Sequence, residues 1–200
     1  MTGPPPTSAF DGVALDLMTV PVGAKLGRIH RKTFPDPLGF GKHPSRFSDP
    51  RRRTEASRFG VLYLGSSLKV CFLETVLRDD RDGIVGQIVI AESELDDRCY
   101  AEIRVREALR LLDLTGDGPV RMGIPSDVAR GRRQTLSRKW SVAFHEHPQQ
   151  PDGIVYRVPK CFCEPSYPGR STEDQFVYRL NCCELFLSEV RLPRFLKGPP

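Results

Sequence analysis

The sequence lacks any apolar run near the roughly 18 residues that a membrane-spanning helix needs, and its opening, MTGPPPTSAFDG, lacks the basic-then-apolar order of a signal peptide. The expectation is therefore a cytoplasmic protein. There is no G-x-x-x-x-G-K-[ST], no G-x-G-x-x-G after a strand pattern, no H-E-x-x-H and no G-x-S-x-G. Their absence sets aside the common nucleotide-binding loops, the zincin proteases and the simplest serine hydrolases. Cysteine is sparse, at six residues, and Cys71, Cys99, Cys161, Cys163, Cys182 and Cys183 are too unevenly spaced for a secreted disulfide framework. Free thiols are expected. The H-x-H of His145 and His147 and the C-x-C of Cys161 and Cys163 match neither ligand spacing typical of zinc, so no metal is expected.

What is present describes an ordinary folding chain. Apolar residues make up 39% and charged residues 28%, which places the 200 residues among globular proteins. A net charge of +5, from 30 Lys and Arg against 25 Asp and Glu, favours anionic ligands without choosing among them. Arg51 to Arg53, Arg130, Arg132 and Arg133 raise a nucleic-acid reading. It is set aside because the interleaved aromatic or helix-turn-helix pattern that would support direct nucleic-acid contact is missing.

Along the chain, residues 1–20 read as a flexible leader, beginning with the proline-rich MTGPPPTS. Residues 22–30 form a first strand pattern, and 32–50, with four prolines and two glycines, must be a long irregular loop. FGVLYLG at 59–65 reads as a buried strand. Ser66 and Ser67 then cap a helical pattern, LKVCFLETVLR. Residues 83–91 read as a further strand and 109–118 as another that ends in a turn, while ESELDDR and AEIRVREA between them read as short and helical or irregular. From Ser126 onward one or two helices are expected, with Leu136, Trp140 and Phe144 at four-residue steps on one face, and 152–158 is a last strand. Residues 159–200 read as a divergent closing segment that either completes the domain or is partly disordered. The mixed order predicts an α+β fold, one domain over 21–158 with a central twisted sheet and flanking helices.

Four residues could carry chemistry. Glu74 lies four residues after Val70 and three before Leu77, so its carboxylate shares a helix side with apolar residues. The ordinary alternative is a surface pair with Arg78 at i+4. Arg28 and Arg46 bracket the proline-rich loop, where guanidinium groups suit bidentate phosphate recognition, although solvated or ion-paired arginines are common. Alternation sends the Tyr63 ring to the face opposite Leu62 and Leu64, as core or as a stacking platform.

Together R-I-H at 28–30, S-R-F-S-D-P at 45–50, F-G-V-L-Y-L-G-S-S at 59–67, the Glu of C-F-L-E-T-V-L-R-D at 74 and P-D-G-I-V-Y at 151–156 resemble the RES domain in order and spacing. The resemblance implies a fold similar to ADP-ribosyltransferase toxins and a toxin neutralised by an Xre-type antitoxin. It also implies attack on the nicotinamide–ribose bond of NAD⁺, which would be substrate and not cofactor. Water, phosphate or a protein could receive the ADP-ribose. Carried over by motif, Glu74 and Arg46 would be catalytic, with Arg28 and Arg46 on the pyrophosphate and Tyr63 stacked on the nicotinamide or a ribose. Val158 stands where the family commonly carries a serine, two residues beyond the tyrosine of D-G-I-x-Y, and valine cannot donate a hydroxyl hydrogen bond. That departure raises a second reading, a catalytically impaired RES-like module that keeps antitoxin docking.

Overall fold

The computed structural model describes residues 3–51, 54, 57–77, 89–131 and 134–157, and the backbone of 176–181 and 187–190. Short runs rich in β-branched, aromatic and other apolar residues build most of its strands. They are β1 (Leu17–Val20), β2 (Lys25–Arg31), β3 (Val61–Gly65), β4 (Arg98–Val105), β5 (Leu109–Asp113), β6 (Gly153–Arg157), β7 (Phe176–Asn181) and β8 (Leu187–Val190). They form one mixed sheet in the order β1-β5-β6-β7-β3-β2-β4-β8. Only the β5–β6 pair among these is parallel. With helices α1 (Leu68–Thr75), α2 (Glu92–Asp96), α3 (Gly118–Arg121), α4 (Asp127–Arg130) and α5 (Gln134–Glu146), the architecture is α+β, as expected.

The sheet has one irregular junction, and it decides where a ligand can enter. β2 pairs along its whole length with β4, from Lys25↔Arg104 to Arg31↔Arg98. With β3 it shares a single register pair, Gly27↔Gly65. Beyond that pair the two strands part, and the other end of β3 is bridged by Gly41 opposite Val61 instead. The sheet is thus split in its interior, with the residues that follow Gly27 on one side and those that precede Gly65 on the other.

Two apolar clusters cover the sheet. Leu62 and Leu64 of β3 join Leu26, Ile103, Val105, Leu109, Leu111 and Val155 in one. Tyr63 packs at the margin of the other, with Phe47, Val70, Trp140, Phe144 and Tyr156. The period-two alternation of β3 therefore holds, with Tyr63 on the face opposite its two leucine neighbours. The predicted α5 stripe is also present: Leu136, Trp140 and Phe144 are all buried. Each such large apolar side chain contributes about 1.5–3 kcal/mol by leaving water.

Three expectations need correction. Residues 8–20, assigned to a flexible leader outside the domain, are packed into it. A 3-10 helix at Ser8–Gly12 buries Phe10, whose ring meets the Trp140 edge at a centroid distance of 5.0 Å, and β1 pairs with β5. The Trp140 indole also donates to the Pro4 carbonyl at 3.1 Å. Within AEIRVREA, read as helical or irregular, residues 101–105 belong to strand β4, with Ala101, Ile103 and Val105 buried and Glu102 and Arg104 between them, while 106–108 are irregular. Cross-strand pairing outweighed the helical propensity of Ala, Glu and Arg there. Residues 89–91, expected to end a strand, are not in one, and 83–88 lie outside the described residues. Beyond 158, β7 inserts between β6 and β3 and β8 lines the edge at β4, so these two strands of the closing segment complete the sheet.

Candidate active site

The cleft is built by three neighbouring pieces of chain. Gly65 ends β3, and Ser67 caps α1, its hydroxyl accepting from the Val70 amide at 3.3 Å. This tight strand-to-helix connection lays α1 against β2 and β3. A Cβ on Gly65 would lie 2.7 Å from Cys71 Sγ, and one on Gly27 would lie 3.0 Å from the same sulfur. The paired glycines therefore make the slot that lets α1 approach the sheet. One turn further on, α1 presents Glu74.

The split between β2 and β3 opens into a cleft of about 290 Å³, lined among others by Arg28, His43, Ser45, Tyr63, Cys71 and Glu74. Arg28, Tyr63 and Glu74, which lie on β2, β3 and α1, are thus brought to one cavity. Val70 lines it as well, so Glu74 does share a side with an apolar neighbour, as its helical spacing predicts. Arg78, the i+4 alternative, lies outside the described residues.

Hydrogen bonds fix the rim. The Arg28 guanidinium donates to the Pro37 carbonyl at 2.5 Å, tying β2 to the proline-rich loop. The Tyr63 hydroxyl accepts from the Phe47 amide at 3.1 Å and bonds Ser45 Oγ, also at 3.1 Å. Arg138 Nε of α5 donates to the Ser45 carbonyl at 2.8 Å, and Ser141 donates to that of Phe47 at 2.5 Å. At the cleft floor, burial pushes the Cys71 thiol up to about 11. Burial there disfavours the thiolate, the reactive form.

Arg46 is placed apart from the other three. It does not line the cleft, and its guanidinium donates to the Gly131 carbonyl at 2.6 Å, where α4 ends. Residues 45–48 form a turn, closed by the Ser48 amide on the Ser45 carbonyl at 3.4 Å, and Ser45 rather than Arg46 meets Tyr63 there, a geometry that the motif does not disclose. Arg51, read as part of a solvated basic face, pairs with the buried Asp49 at 2.7 Å and also contacts Glu146. His145 stacks on Phe59 at a ring distance of 4.3 Å, and His147 is buried, its Nε2 3.2 Å from the Phe10 carbonyl. Ser45, His43 and Cys71 are cleft residues that sequence reasoning passed over. The available signals were that Ser45 adjoins the matched Arg46 and that Cys71 follows the Ser67 cap by one helical turn.

The geometry agrees with a sequence-family comparison, in which the model of the RES domain matches residues 25–159. The chain belongs to the RES domain family. Every cleft residue named above lies within the RES match, whereas β1, β7 and β8 lie outside it although they belong to the same sheet. A curated relative of this RES protein is Probable toxin y4kH of Sinorhizobium fredii, 38% identical over 80 residues, which are 40% of this chain and 63% of the relative. The chain thus spans less than two thirds of that relative's length. Val158, the departure from the RES motif, lies outside the described residues.

Proposed function

We propose that the protein is a toxin-like enzyme that cleaves the nicotinamide–ribose bond of NAD⁺ in the cytoplasm and is held in check by an Xre-type antitoxin. The observation that carries this reading is the convergence of Arg28, Tyr63 and Glu74 on one cleft where the sheet splits. Membership of the RES family and a relative named as a probable toxin support it.

Breaking the glycosidic bond expels neutral nicotinamide and leaves positive charge on the ribose, so the transition state resembles an oxocarbenium ion. A carboxylate fixed beneath that ring stabilises the charge as it forms and can hold a ribose hydroxyl or orient an incoming nucleophile. Glu74 has that part. Arg28, anchored to Pro37, meets the pyrophosphate. Tyr63 offers its ring to the nicotinamide or ribose, while its hydroxyl serves the rim. Arg46 acts from outside the cleft by holding the rim loop to Gly131. A cleft of about 290 Å³ suits the nicotinamide–ribose half, with the remaining phosphate and adenosine along the rim.

Induced expression in bacteria, with total NAD⁺ assayed through the growth curve, tests the reading. A fall in NAD⁺ before growth stops is expected; arrested growth at constant NAD⁺ overturns it. Val158 favours a second reading, an impaired module that still docks an antitoxin. If Val158→Ser alone gains NAD⁺ cleavage and the natural chain shows none, the second reading replaces the first.

A further inference from the structure

The contacts of Tyr63 point past the ring to the residue its hydroxyl holds. Ser45 lines the cleft and is unusually well fixed for a loop residue. Its amide donates to Ser48 Oγ at 3.0 Å, and its carbonyl accepts from Ser48 Oγ at 3.1 Å and from Arg138 Nε at 2.8 Å. Its side chain is 3.1 Å from the Tyr63 hydroxyl. The two hydroxyls hold two protons, and the bond between them uses one. Because the Phe47 amide already occupies a lone pair of the phenol, the phenol serves best as donor to Ser45 Oγ. The serine proton is then left for the cleft.

From this, the geometry points to Ser45 as a substrate-contacting hydrogen-bond donor, held in place by Tyr63, that takes a phosphate oxygen of the dinucleotide. The choice of a phosphate follows from charge. Arg28 and Ser45 both belong to the side of the cleft secured by the proline-rich loop, where a cation and a hydroxyl proton together suit an anionic oxygen. Glu74, on α1, repels one. Tyr63 is then a positioning residue for Ser45 as well as a surface for stacking. This inference rests on the NAD⁺ reading and adds the residue that reads the phosphate.

Binding of ADP-ribose and of nicotinamide riboside to the full chain, measured by calorimetry, tests it, with melting curves to confirm that each variant is folded. Ser45→Ala is expected to weaken ADP-ribose about ten- to a hundredfold, the loss of one hydrogen bond to a charged group. It should leave nicotinamide riboside, which has no phosphate, within about twofold. Tyr63→Phe should weaken ADP-ribose less. The double variant should be no weaker than Ser45→Ala alone, since the tyrosine acts through the serine. Ser45→Thr, which retains the hydroxyl, should recover most of the affinity. In turnover, Ser45→Ala should raise KM for NAD⁺ with little change in kcat. Equal ADP-ribose affinity in wild type and Ser45→Ala, equal losses for the two ligands, or additive effects of the two substitutions would each overturn the assignment. A wild-type chain that binds neither ADP-ribose nor NAD⁺ overturns the parent reading and this one with it.

Discussion

Gly27 and Gly65 face each other as the single register pair between β2 and β3, and Cys71 Sγ sits where a Cβ on either would point, at 3.0 and 2.7 Å. This contact sets the distance of α1 from the sheet and so the position of Glu74. Gly65→Ala also meets the Cys71 amide and Val70 Cγ1, both at 3.1 Å, and neither can swing aside. It is expected to cost about 1–3 kcal/mol by overpacking. Chemical denaturation checks the stability, and a larger loss of NAD⁺ cleavage than the folded fraction explains would show that Glu74 has moved.

The two arginines that flank the loop should separate in kinetics. Arg28 lines the cleft, so Arg28→Ala is expected to raise KM for NAD⁺ by more than about tenfold, the loss of a charged phosphate contact. Arg46 bonds the Gly131 carbonyl, so Arg46→Ala should lower stability by about 1 kcal/mol and leave KM within a few fold. Steady-state kinetics beside denaturant titrations checks both. A large KM effect for Arg46→Ala would return that residue to the cleft.

Acid should act through Asp49. Burial raises its carboxyl, but the hydrogen bonds and charge of Arg51 outweigh burial and hold it below the usual carboxylate range. A group depressed in the folded state stabilises at pH above its unfolded value, near 4, and loses that contribution as pH falls through its folded value. Stability should therefore drop below about pH 4. Asp49→Asn should cost on the order of 3 kcal/mol at neutral pH, since it leaves Arg51 without its buried partner. It should also flatten the acid limb of a stability-versus-pH curve. An unchanged acid limb would assign it to other carboxylates.

The Cys71 thiol, raised to about 11 by burial, should resist alkylation at pH 8 while the chain is folded. Its folded value exceeds the ordinary thiol value near 9, so its contribution to stability is complete below pH 9 and falls as pH rises from there towards 11. Peptide mapping after alkylation distinguishes Cys71 from Cys99, which is only half-buried. Rapid labelling of Cys71 in the native chain would show that the slot between the glycines is open.

The legible parts of this molecule were those in which one period dominates. The Leu136, Trp140, Phe144 stripe and the Leu62, Tyr63, Leu64 alternation each report one face of one element, and both reappear in the structure. β4 was missed although Ala101, Ile103 and Val105 alternate with Glu102 and Arg104, because its residue types favour helix while its seven-pair register with β2 is non-local. The packing of Phe10 on Trp140 and the insertion of β7 between β6 and β3 depend equally on distant partners. At the site, the motifs name Arg28, Tyr63 and Glu74, and these three line one cleft. The motifs could not tell that a one-residue step along the rim gives Ser45 to the cleft and Arg46 to Gly131.

The central claim is that the Glu74 carboxylate stabilises a ribose as it becomes cationic. Nicotinamide release from NAD⁺ by the purified chain, run beside Glu74→Gln of unchanged melting temperature, tests it most directly. The account predicts release by the wild type and a loss of at least about a hundredfold in kcat for the variant, the usual effect of removing one electrostatic stabiliser of a transition state. Equal release by both proteins would contradict it.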